Sequence, residues 1–174
     1  MSSGGFDNGT SAGRGQLQLD FTWNPFNYFK QGQSYVVLGY GLQNRLDIHG
    51  YYSIHTEGFH TYYIGLFYQF LSSRKVDLAT AIGFRTNKDT ELKDIFFPQI
   101  LYTINLSDNY AIGGSFVNII KSKKNQVNET PITIDIALLV PMKRFFKLPK
   151  NISDMKLALG VFNPVTNSSV EKGE

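Results

Sequence analysis

The sequence predicts an all-β fold: an antiparallel up-and-down meander of strands that closes into a barrel. Three observations predict it. Nine segments alternate large apolar residues with polar or small ones at period two. Turn-forming residues separate most of those segments. No segment keeps helical periodicity for three turns, and no apolar run approaches the roughly 18 residues that suggest a membrane helix.

Each element follows from its own alternation. Leu17, Leu19, Phe21 and Trp23 alternate with Gln18, Asp20 and Thr22. Val36, Leu38, Tyr40 and Leu42 alternate with Val37, Gly39, Gly41 and Gln43. Leu46, Ile48, Tyr52 and Ile54 face away from Asp47, His49, Tyr51, Ser53 and His55. Tyr62, Ile64, Leu66, Tyr68 and Phe70 alternate with Thr61, Tyr63, Gly65, Phe67 and Gln69. Val76, Leu78, Ile82 and Phe84 oppose Asp77, Ala79, Ala81, Gly83 and Arg85. Phe96, Ile100, Tyr102 and Ile104 oppose Phe97, Gln99, Leu101, Thr103 and Asn105. The segment 110–120 alternates less clearly, and its adjacent Gly113 and Gly114 suggest a bulge. Ile132, Ile134, Ile136, Leu138 and Val140 oppose Thr133, Asp135, Ala137 and Leu139. Met155, Leu157, Leu159 and Val161 oppose Lys156, Ala158, Gly160 and Phe162. The count is nine; a short strand hidden at 143–148 makes ten, and a misread 110–120 makes eight.

A chain of 174 residues with 42% hydrophobic and 18% charged residues suits one compact domain rather than a disordered chain. The barrel occupies 16–162. Residues 1–15 are Gly/Ser-rich and read as flexible, without the basic and apolar regions of a signal peptide. Residues 163–174 read as a polar tail. With no cysteine, a disulfide framework, a Cys-ligated zinc and a thiol nucleophile are excluded. A net charge of +3 is too small to imply a nucleic-acid partner, and no nucleic-acid motif or phosphate loop is present.

Alternation alone does not say which face meets water; the charges do. Of 31 charged residues, none lies on the large apolar face of a strand and six lie on the opposite face. The rest sit in turns and tails. A wet outer face would carry many Lys and Glu. Here that face carries Gly, Ala and a few charges, which suits the crowded lumen of a narrow barrel. The reading is an all-β, antiparallel up-and-down transmembrane β-barrel of about 8–10 strands. Asp20, Asp47, His49, His55, Asp77, Arg85, Asp135 and Lys156 then line the lumen or pore, and the charges pair across it. Leu19, Phe21, Ile48, Ile64, Leu66, Ile100, Ile134 and Leu157 face lipid. Trp23, Tyr35, Tyr62, Phe70, Phe84, Phe96 and Tyr110, near strand ends, fit interfacial girdles.

In this pattern the chain resembles bacterial outer-membrane β-barrel proteins. Residues 155–162, MKLALGVF, resemble the last-strand signal by which such barrels are recognised for assembly, with Gly160 and the aromatic Phe162; here the chain continues to Glu174. The resemblance implies a porin-like membrane protein of the outer membrane of a Gram-negative-type bacterium. It would act in transport as a narrow channel, or as a structural or partner-binding protein. Its partners would be membrane lipid and other membrane protein subunits. The resemblance also implies periplasmic termini, which places the shorter connections on the periplasmic side.

Two other functions stay open. The first is a lipid-modifying barrel enzyme, an acyl hydrolase or transferase, with His49 or His55 as base and Ser53 nearby. Ser53 and His55, two apart on one strand, stand roughly 7 Å from each other, too far for a direct hydrogen bond. The second is a soluble lipocalin-like barrel with the large apolar face lining a ligand cavity. No catalytic set and no cofactor are assigned. No metal site is assigned either: His49 and His55 lie roughly 20 Å apart along a strand, and His55, Glu57 and His60 form only a loop grouping. The acidic lumen residues suggest either a weakly selective pore or a salt-bridged plug. Lys121, Lys123 and Lys124, with Lys143, Arg144, Lys147 and Lys150, form two basic loop clusters.

Overall fold

The computed structural model describes residues 8–22, 35–54, 60–88, 95–118, 120–121, 132–152 and 154–164. Its strands are β1 (Leu17–Thr22), β2 (Tyr35–Gln43), β3 (Leu46–Ile54), β4 (His60–Ser72), β5 (Val76–Lys88), β6 (Ile95–Ser107), β7 (Tyr110–Asn118), β8 (Ile120–Lys121), β9 (Ile132–Pro141) and β10 (Lys156–Pro164). The two-residue β8 continues β7, because Val117 pairs with Gln99 and Ile120 with Phe96 in one unbroken register. The sheet is therefore a nine-stranded antiparallel meander in chain order. It curls into a half-barrel. Among the described residues β1 pairs only with β2, and β10 only with β9. Among the described residues no helix is long and apolar enough to cross a membrane, which says nothing of strands.

The tight turns between β2 and β3, β4 and β5, and β6 and β7 all lie at one end of the sheet. Each is preceded by a break in register, at Gly41/Gln43, Gln69/Leu71 and Asn105/Ser107. Bulges there sharpen the local twist and help the rim curl. The bulge expected at Gly113 and Gly114 does not form; both pair in regular register with Thr103 and Tyr102. These glycines serve close approach instead. A Cβ on Gly113 would stand 2.8 Å from Leu139 Cδ1.

No strand lies at 143–148. A 3-10 turn spans Met142–Arg144, and Met142 N–H donates to the Met155 carbonyl at 2.8 Å, tying the base of the connection. Pro141 and Pro149 bracket this stretch, and adjacent Phe145 and Phe146 break the period-two pattern.

The core lies on the concave face, where Phe67, Ala79, Ala81 and Leu101 form one cluster. Val117, Ala137 and Leu139 are buried on the same face. The convex face is bare and apolar. Ile64 is 58% exposed, and Leu19, Phe21, Leu66, Ile100 and Leu157 are also exposed, with Ile48 and Ile134 half-buried.

Candidate functional site

In an antiparallel sheet, directly paired residues point to the same face, so rows of partners define the concave surface. One row runs Asp47, Phe67, Ala81, Gln99, Val117. Another runs Gly39, His49, Gly65, Gly83. A third runs Gln69, Ala79, Leu101, Ser115, Asp135. A fourth runs Asp77, Thr103, Gly113, Ala137. These rows gather Asp47, His49, Asp77 and Asp135 on one surface, and Arg85 joins them in register with Tyr63. Asp47, Asp77, Arg85 and Asp135 are all buried there, and His49 is half-buried.

Residues 8–15, expected to be flexible, cross this surface as a strap. Gly9 N–H donates to Thr103 Oγ1 at 3.0 Å, and Thr10 Oγ1 to Asp77 Oδ2 at 3.0 Å. Ser11 N–H reaches Gln69 Oε1 at 3.1 Å, and its hydroxyl donates to the Asn44 carbonyl at 2.8 Å. Ala12 N–H donates to Asp47 Oδ2 at 2.7 Å, and Gly15 N–H to the Gly41 carbonyl at 2.8 Å. The strap thus meets β6, β5, β4, β3 and β2 in turn. Every contact lies near the end of the sheet that carries the tight turns.

The glycines of the strap are what let it lie flat. Gly13 and Gly15 take φ of 88° and 75°, a region that side chains disfavour. A Cβ on Gly9 would stand 2.6 Å from the Asp77 carbonyl oxygen, and one on Gly41 would collide with the Gly13 carbonyl.

The aspartates are held by hydroxyl and amide donors rather than by the expected cross-lumen ion pairs. Asp77 Oδ1 accepts from Ser72 Oγ at 3.0 Å while its other oxygen takes Thr10. Asp135, 1% exposed, accepts from Ser115 Oγ at 2.7 Å. The strap and neighbouring hydroxyls supply these donors. The one salt bridge among the described residues joins Lys156 to Asp154 at 3.4 Å. Lys156 is exposed at the start of edge strand β10, in register with Pro141.

His49 Nε2 lies 2.7 Å from the Tyr63 hydroxyl, and the two rings stack with centroids 5.4 Å apart. Gly65 and Gly83 form the floor of this pair. A Cβ on Gly65 would stand 2.6 Å from His49 Nε2, and one on Gly83 would enter the Tyr63 ring. His49 thus has a tyrosine as its hydrogen-bond partner. His55 and Glu57 lie outside the described residues, as do Lys123 and Lys124; the Ser53 side chain is likewise not described. Lys143, Lys147 and Lys150 are exposed on the connection before β10.

A cavity of about 60 Å³ lies beneath the strap, lined by Asn8, Thr10, Gln18, Asp20, Asp47, His49 and Gln99 with apolar walls from Phe67, Ala81 and Leu101. Asp20 is exposed, and its carboxylate accepts from Gln18 Nε2 at 2.8 Å. Gln69, Gln99, Thr103, Ser115 and Tyr63 are concave-face residues that a search for charges passes over. For Tyr63, Gln69, Gln99 and Thr103 a signal was available, since alternation puts each opposite the large apolar residues of its own strand. Comparison with family models, curated proteins and solved structures finds no match.

Proposed function

We propose that the chain is a small outer-membrane-type β-barrel, non-enzymatic, whose lumen is closed at one mouth by its own N-terminal segment. It serves as a structural or partner-binding membrane protein or as a very narrow channel. The observation that carries this reading is the polarity of the sheet. The convex face exposes Leu19, Phe21, Ile64, Leu66, Ile82, Ile100, Phe116 and Ile136, while the concave face buries Asp47, Asp77, Arg85 and Asp135. In water an apolar surface of this extent is unusual. In lipid it is what a spanning barrel presents. A soluble lipocalin-like barrel would have the two faces reversed.

Strand length supports the same reading. β4, β5 and β6 each run 13 residues. At about 3.3 Å per residue and a tilt near 45°, each rises about 30 Å, the thickness of a hydrocarbon core. The strap and the packed concave side chains favour a closed barrel over an open pore. Membrane lipid is the partner this face implies, and an outer membrane the location. The test is expression with and without detergent, followed by gel migration before and after boiling. A detergent-dependent protein whose folded band shifts on boiling supports the proposal. A monodisperse protein in plain buffer overturns it.

A further inference from the structure

We infer that the end of the sheet carrying the tight turns engages anionic phospholipid headgroups through a cationic rim, with the connection between β9 and β10 as its principal contact. The inference rests on the membrane reading and deepens it. Charge and exposed apolar surface, observed at the same place, carry it together.

The rim is basic. Arg45 lies exposed on the turn from β2 to β3, and Arg74 and Lys75 on the turn from β4 to β5. The connection from β9 to β10 adds exposed Lys143, Lys147 and Lys150. It belongs to the same end, because Leu139 pairs with Ala111 beside the β6–β7 turn and Pro141 pairs with Lys156. The exposed acids of this end among the described residues are Asp108 and Asp154, and Asp154 is bridged to Lys156. Cations therefore far outnumber carboxylates here, and an anionic surface is the partner that this charge selects.

The connection also presents apolar side chains. Its backbone is tied by the Met142 N–H to the Met155 carbonyl at 2.8 Å, by Phe145 N–H to the Met142 carbonyl at 2.9 Å and by Ile152 N–H to the Pro149 carbonyl at 3.0 Å. Yet Phe145 is 64% exposed, and Phe146, Ile152 and Met155 are exposed as well. Apolar exposure continues into β10 with Leu157 and Leu159. The convex face and the connection thus share one apolar surface, edged by cations. That composition suits the boundary between acyl chains and headgroups, where apolar groups enter and Lys heads meet phosphates. A nucleic acid or an acidic protein would use the charge but leave the apolar side chains bare.

The test uses bilayers of dibrominated lipid, which quenches a tryptophan beside it. In the full-length chain the single tryptophan is removed by Trp23→Phe, and a reporter is placed by Phe146→Trp or, separately, by Leu66→Trp. Brominated phosphatidylglycerol, which is anionic, is compared with brominated phosphatidylcholine, which is zwitterionic. The Phe146→Trp reporter is expected to favour phosphatidylglycerol by at least about fivefold in relative binding constant, the effect of one Lys beside an anionic surface. The preference should disappear in Lys143→Gln/Lys147→Gln/Lys150→Gln and at high KCl. The Leu66→Trp reporter should be quenched by both lipids alike. Equal quenching of the Phe146→Trp reporter by the two lipids would overturn the proposal, as would a preference retained in the triple variant. A Leu66→Trp reporter quenched by neither lipid would overturn the membrane reading and this proposal with it, so the two failures are told apart.

Discussion

The backbone amide of Ala12 donates to the buried carboxylate of Asp47 at 2.7 Å, joining two residues 35 positions apart. This bond is the clearest sign that the N-terminal segment belongs to the concave face of the half-barrel. The strap contributes the donors, and the concave face contributes acceptors on β3, β4, β5 and β6. The strap thereby crosses the concave face at the end of the sheet that carries the tight turns.

Removing residues 1–12 should unseal that end. Losing several hydrogen bonds at about 0.5–1.5 kcal/mol each predicts a few kcal/mol of lost stability. It also predicts a conductance in planar bilayers above that of the full chain. Equal conductance of the two forms would show that the strap does not obstruct the lumen.

The floor of the His49–Tyr63 pair gives a packing prediction. Gly83→Val drives a side chain into the Tyr63 ring and should destabilise by about 1–3 kcal/mol in urea titrations of the micelle-bound protein. Adding Tyr63→Ala should recover part of that loss, because the two residues compete for one volume. Strictly additive effects would contradict the contact.

Asp135 has one oxygen on Ser115 and the other without a partner. Ser115→Ala should therefore cost about 1–3 kcal/mol by leaving the carboxylate bare. Asp135→Asn in the Ser115→Ala background should cost less than Ser115→Ala alone, since the charge is gone. Thermal midpoints of the three variants check the order.

Period two placed nine strands and put Asp47, Asp77, Arg85 and Asp135 on one face opposite Ile64 and Leu66. That much was legible because a strand's side-chain alternation is geometric and does not depend on its neighbours. The strap was not legible. Gly9, Gly13 and Gly15 suit a flexible linker and a tightly docked one equally well. Its acceptors Gln69, Asp77 and Thr103 lie 58 to 94 positions away in sequence. Gln99 was overlooked because it carries no charge, although it faces the same space as Asp47. Residues 143–148 were open to reading as a strand because the connection 141–154 is long enough to hold one.

The convex face yields the prediction closest to the central claim. Leu66 is 46% exposed on the longest stretch of the sheet. In a bilayer, Leu66→Arg should cost about 2–4 kcal/mol. On a water-bathed surface the same change should stay within about 0.5 kcal/mol.

The most direct measurement is the detergent dependence and heat-modifiable migration of the intact chain. The account predicts that the protein stays dispersed only in detergent or lipid and that its folded band shifts on boiling. A monomer soluble without detergent, with unchanged migration, would contradict the claim that the apolar convex face meets lipid.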